Sequence, residues 1–197
     1  VTEGRGLTLQ QPFKQINLDA IPKLGEEAHR RGLKFGTWAV AYSTYPRSND
    51  GKPPYDFALD VSRTTGAARY HNFISLLDDR RVAALTDFFR RMQESEHVDM
   101  VGLDYMRSDR GGYEMVERFT SEMPVRLPDA WSQWSERRRQ QYVAYKVEEE
   151  WQKDAKFYEC WNWWRAHIGA EIVRRIIDGS GVQKPTWIFV LTWLHGT

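Results

Sequence analysis

Three stretches with helical periodicity along this chain are each followed by a short apolar run of strand length. Ile21, Leu24 and Ala28 recur at helical spacing. Asp19 is placed to cap that helix, Pro22 falls in its first turn, and Arg30-Arg31-Gly32 closes it. The run Leu33 to Ala41 follows as a strand, with Leu33 and Phe35 on one face and Gly36 and Trp38 on the other. The second helix, about Arg80 to Glu94, aligns Val82, Leu85, Phe88, Phe89 and Met92, with Asp78 or Asp79 as its cap. It leads to the run Val98 to Asp104. The third, Trp161 to Ile177, aligns Trp164, Ile168, Ile172, Val173, Ile176 and Ile177. Asp178-Gly179-Ser180-Gly181 ends it, ahead of the strand Thr186 to Leu194.

Helix and strand alternate, so the pattern predicts an α/β fold with a parallel sheet and right-handed crossovers. A barrel and an open doubly wound sheet both fit. Neither GxGxxG nor GxxxxGK[ST] occurs, which counts against a nucleotide-binding open sheet. Between these units, 42–69 reads as a long loop carrying Pro46, Gly51, Pro53, Pro54 and Gly66. Tyr70 to Leu77 reads as a further extended run, and Tyr113 to Met123 as a short helix broken by Pro124 and Pro128. Residues 131–156 read as surface helix, with the charge runs Glu136–Arg139 and Glu148–Glu150 taken as a solvated face.

The 197 residues suffice for one sizeable core. With 28 basic and 27 acidic residues, the balance gives no reason to expect nucleic acid or an anionic membrane as partner. No apolar run is long enough to span a bilayer, so no integral membrane segment is expected. The single Cys160 excludes an internal disulfide framework, and the scattered histidines give no metal-ligand spacing, so no metal or other cofactor is expected. The chain opens without Met and stops directly after a strand-like run, and is therefore read as an internal piece of a larger protein. Aromatic residues are abundant: 9 Trp, 9 Tyr and 9 Phe, with Trp131, Trp134, Trp151, Trp161, Trp163 and Trp164 in one stretch. They could form a sugar-stacking wall, but composition alone favours core packing and helix interfaces.

The candidate chemistry lies at the end of the run Val98 to Asp104. Val101 and Leu103 share one face and suit contact with helices, whereas Met100, Gly102 and Asp104 share the other. In a βα barrel the catalytic groups sit at the C-terminal ends of strands, so Asp104 would point into the barrel mouth. Trp38 would also point inward, and Trp193 and His195 share parity on the last strand. Cleavage of a glycosidic bond needs two carboxyl groups, one protonated and one ionised. Arg107, three residues on, would hold Asp104 ionised and favour nucleophile or base over acid. The alternative is an Asp that starts a loop or pairs structurally. Asp99, at the strand's start, belongs to the stability end, and Glu159 is a candidate second carboxylate without a fixed direction.

The segments EEAHRRGLKFGTWAV, LLDDRRVAALTDFFRRM, VDMVGLDYMR, WWRAHIGAEIVRRI and WIFVLTWLHG resemble, in order and spacing, the glycoside-hydrolase-like TIM-barrel families. The similarity is nearest to the glycosyl-hydrolase-like 10 group and its uncharacterised relatives. The Ala-His-x-x-Gly helix end is Ala28, His29 and Gly32, feeding a strand with Trp38. The LDP segment reads Leu77-Asp78-Asp79, with Asp79 in place of proline. The DG-x-x-LD-Y-x-R strand corresponds to Asp99, Gly102, Leu103, Asp104, Tyr105 and Arg107, with its DG pair broken, and the helix-opening WR is Trp164-Arg165. The resemblance covers roughly 20–195, leaving 108–156 unmatched as a helical insertion after the fourth strand. It implies a fragment of one (β/α)8 barrel spanning about strands three to five. A whole barrel takes about 250 residues. It also implies a glycoside hydrolase acting on a poly- or oligosaccharide outside the cytoplasm; cleavage of bacterial cell-wall glycan is attributed to some members. Asp104 would be the catalytic carboxylate, and Trp38, Tyr105, Arg107, Trp164, Arg165, Trp193 and His195 would line the sugar site. A non-catalytic carbohydrate-binding barrel is the alternative.

Overall fold

The computed structural model describes residues 15–43, 55–106 and 111–189. The fold is mixed α/β. Strands β1 (Gly36–Val40), β4 (Met100–Asp104) and β5 (Thr186–Ile188) form a parallel sheet in the order β1-β4-β5. Helix α2 (Asp79–Glu94) lies between the first two in sequence, and α5 (Ala155–Ser180) between the last two. The alternation of helix and apolar strand thus produces the expected parallel pairing.

The register gives the sheet two unlike faces. Trp38 pairs with Gly102 and Val40 with Asp104; Gly102 pairs with Trp187. Ala39, Ala41, Val101 and Leu103 therefore share one face. They join the core formed with Val82, Leu85 and Phe89 of α2 and Ile168, Ile172 and Ile176 of α5. Trp38, Gly102, Asp104, Trp187 and Phe189 share the other face. Small residues are required there: a Cβ on Gly102 would come within 2.3 Å of the Trp187 indole, and one on Gly36 within 2.8 Å. The aromatic surface is continuous, since the Phe189 ring lies 5.8 Å from that of Trp38 and 6.4 Å from that of Trp187.

Two expectations need correction. Residues 42–69 are not a plain loop, because β2 (Phe57–Val61) lies within them and pairs antiparallel with β3 (Ala68–Ile74). The Ser62–Ala67 turn closes this hairpin, with Gly66 at φ 71°. Helix α1 (Gln15–Arg30) also starts before Asp19 and carries Pro22 inside it. Leu18 packs against the core with Ile21, one turn apart, which rewards the extra turn despite the donor that Pro22 lacks.

Caps and buried polar groups set the remaining boundaries. Asp78 caps α2 by accepting the Arg80 N–H, and its other oxygen accepts the Asp56 N–H at 2.7 Å. Arg81 is 2% exposed and donates to the carbonyls of Val40 and Ala41, occupying acceptors at the end of β1. Between β4 and α5 the chain forms α3 (Val116–Glu122) and α4 (Glu136–Glu148), each preceded by a single 3-10 turn. Phe119 joins this layer to α5, its ring 4.9 Å from Trp161 and 5.5 Å from Trp164, both edge-on. No described helix is long and apolar enough to cross a membrane.

Candidate functional site

The connections at the two ends of the parallel sheet differ in kind. Chain entering each strand from a helix does so over five residues: 31–35, 95–99 and 181–185. Chain leaving β1 and β4 runs through 41–78, with the β2–β3 hairpin, and 105–154, with α3 and α4, before α2 and α5 return to the sheet. The elaboration lies wholly at the C-terminal ends of the strands, where α/β folds carry their ligand sites.

Asp104 ends the middle strand at that side, partly buried. Its Oδ1 accepts the Tyr105 N–H at 2.7 Å. Tyr105 is the only non-glycine residue at positive φ among those described, at 52°. Pairing beyond the strands holds it there: Ala41 N–H donates to the Asp104 carbonyl and Tyr42 N–H to that of Tyr105. A bulky residue in this conformation at a strand end is a feature that clusters at functional sites. Beside it, Trp38 is 8% exposed, and its indole N–H has no described partner.

The structure thus places Asp104 and Tyr105 at the C-terminal end of β4, with Trp38 on the same sheet face as Asp104 but in register with Gly102, in mid-strand. Arg107, Trp193 and His195 lie outside the described residues. Trp164 is a core residue, 2% exposed, with its indole N–H donated to Glu122 at 2.7 Å. Of the other acids, Asp79 pairs with Arg175, Glu159 is an exposed residue of α5, and Asp99 ties β4 to the start of β1. Among the described residues no group of three or more His, Cys, Asp or Glu is placed to hold a metal ion.

Arg165 faces a different place, a cleft of about 470 Å³ bounded by the β2–β3 hairpin, the end of α4 and the first turns of α5. Asp60 and Arg69, opposite each other in the hairpin, form one wall. Tyr113 and Glu148 form another: the phenol donates to Glu148 Oε1 at 2.8 Å, and Arg63 pairs with Oε2 at 2.9 Å. Burial and the facing carboxylate raise the Tyr113 pKa, so the phenol stays protonated. Trp151, Tyr158 and Asn162 complete the rim. The cleft is held open by its frame. Glu114 accepts from Leu59 N–H at 2.8 Å and from the Ser75 hydroxyl at 2.6 Å, while Gln141 donates to the carbonyls of Arg63 and Thr64.

Of these cleft residues the sequence singles out Arg165 as a site residue and Trp151 as one of the clustered tryptophans. The hairpin leaves little trace in the sequence because 55–70 has neither a long apolar run nor clean alternation, and Glu148 sits in a charge run that resembles a solvated face. Comparison with models of known protein families, with curated proteins and with solved structures returns no match.

Proposed function

We propose that this chain is part of a glycoside-hydrolase-like (β/α)8 barrel that cleaves a poly- or oligosaccharide, with Asp104 as one of two catalytic carboxylates. The observation that carries this reading is the position of Asp104. It ends the middle strand of an in-order parallel sheet, on the face that carries the aromatic side chains. In-order strands with both connecting helices on one face suit a barrel wall, whose inner face is lined by alternating side chains. The strand-side aromatics Trp187 and Phe189, backed by the buried Trp38, offer flat apolar rings for sugar C–H faces. The sequence resemblance described above points the same way.

In this reading Asp104 acts as nucleophile or base. Tyr105 N–H orients its carboxylate. The opposing acid must stand across the scissile bond. Replacing Asp104 with Asn in the intact protein and assaying hydrolysis of cell-wall and other polysaccharides tests the assignment. Turnover should fall by about 10²–10⁴-fold, the usual contribution of one such group. Unchanged turnover would remove Asp104 from the mechanism.

A non-catalytic carbohydrate-binding barrel is a second reading, favoured by one observation. The other two strands end in Val40-Ala41-Tyr42 and Ile188-Phe189, so neither described end supplies a second carboxylate. Glycan binding that survives Asp104→Asn, with no turnover by either protein, would establish it.

A further inference from the structure

We propose that the cleft between the β2–β3 hairpin and helices α4 and α5 binds a carboxylate-bearing sugar unit, with Trp151 as its stacking face and Arg69 as the partner of its carboxylate. This rests on the glycan reading above and adds the class of sugar.

The charge inside the cleft is the first argument. Three arginines, Arg63, Arg69 and Arg165, face two acids, Asp60 and Glu148. Arg63 is already committed, since it pairs with both Glu148 and Glu149. Glu148 is committed in turn to Arg63 and to the Tyr113 hydroxyl. Arg69 is exposed on β3 and forms no ion pair with a described residue. Asp60, opposite Arg69, is 8% exposed and its Oδ1 accepts the Val61 N–H, so an incoming ligand meets the exposed Arg69 guanidinium, whose planar fork suits a carboxylate in bidentate fashion.

The second argument is shape. Trp151, 40% exposed at the rim, is buttressed by Tyr158 with ring centroids 6.0 Å apart. A flat ring in a cleft also lined by Asp60 and Asn162 matches a pyranose, which offers a C–H face to stack and hydroxyls to hydrogen-bond. A cleft of about 470 Å³ lies within the size range of small-ligand sites. The frame is already assembled: Gln141 and Arg63 clamp the hairpin turn to α4, so little ordering cost falls on binding.

The test is calorimetric titration of the intact protein with oligoglucuronate and oligogalacturonate, each against its carboxyl-reduced counterpart. At least one acidic oligosaccharide should bind about tenfold or more tightly than its reduced form, the value of one charge-assisted carboxylate contact. Arg69→Ala should abolish that preference and leave the neutral affinity, with Arg69→Lys restoring part of it. Trp151→Ala should weaken both forms, and Trp151→Tyr should retain binding. Both side chains are exposed, and unchanged unfolding midpoints would show that the variants fold. Equal binding of acidic and reduced forms, no binding of either, or wild-type affinity in Trp151→Ala would overturn the proposal. The same titration on Asp104→Asn separates it from the hydrolase reading. Acid-selective binding with no cleavage by either protein keeps the cleft and removes the hydrolase. Cleavage that depends on Asp104 without acid-selective binding does the reverse.

Discussion

The carboxylate of Asp99 lies 2.8 Å from Nε2 of His29. The same oxygen accepts the Phe35 N–H at 2.6 Å, so one side chain joins the end of α1, the start of β1 and the start of β4. The Phe35 N–H first, and His29 second, lower the Asp99 pKa. A lowered folded-state pKa stabilises the fold above the ordinary carboxylate value of about 4, and that contribution is lost as pH falls through the lowered value. Because Asp99 is partly solvent-exposed, Asp99→Asn should cost only about 0.5–1 kcal/mol at neutral pH. Urea unfolding at pH 7 and at pH 3 checks this, and the gap between variant and wild type should close at the lower pH.

Glu114 carries the opposite sign. Burial raises its pKa, opposed by the hydrogen bonds from Ser75 and Leu59. A raised folded pKa means that the native state binds the proton more readily than the unfolded chain. Its contribution to stability is complete below the unfolded value and declines as pH rises toward the folded one. Glu114→Gln can keep the acceptor for Leu59 and a partner for the Ser75 hydroxyl without the charge. The variant should match or exceed wild-type stability at pH 7 and lose that advantage near pH 4. Thermal unfolding across this range reads the crossover, and a variant less stable at every pH would refute the assignment.

Gly102 and Trp187 should be energetically coupled. A Cβ at position 102 would enter the Trp187 indole at 2.3 Å. Gly102→Ala should destabilise by about 1–3 kcal/mol, as overpacking does. In the Trp187→Leu background the same change should cost markedly less, and a double-mutant cycle measures the difference. Additive effects would mean that the ring moves aside at no cost.

The parallel core was legible because periodicity reports burial. Val82, Leu85, Phe88, Phe89 and Met92 align on α2, and Val101 and Leu103 turn to the helix side while Gly102 and Asp104 turn away. A cap at Asp78 or Asp79 was legible because capping needs only a local acceptor, and the structure selects Asp78. The cleft was not. Glu148 meets Tyr113 and Arg63 from separate segments, and charge patterns give no sign of which partners tertiary packing will bring together. Trp164 misled in the other direction. Its neighbour Arg165 reaches the cleft, but the indole itself lies in the core against Phe119.

The uneven connections at the two ends of the sheet divide the molecule's tolerance to change. Five-residue turns at the strand entrances leave little slack, and Asp99 and Lys184 fasten two of them by hydrogen bonds to neighbouring segments. The exposed side chains that segments 41–78 and 105–154 present to the cleft, Arg69 and Trp151 among them, can change at little cost to the parallel core. Descendants of this chain could therefore acquire new ligand preferences by remodelling those two segments, while the scaffold beneath them stays unaltered.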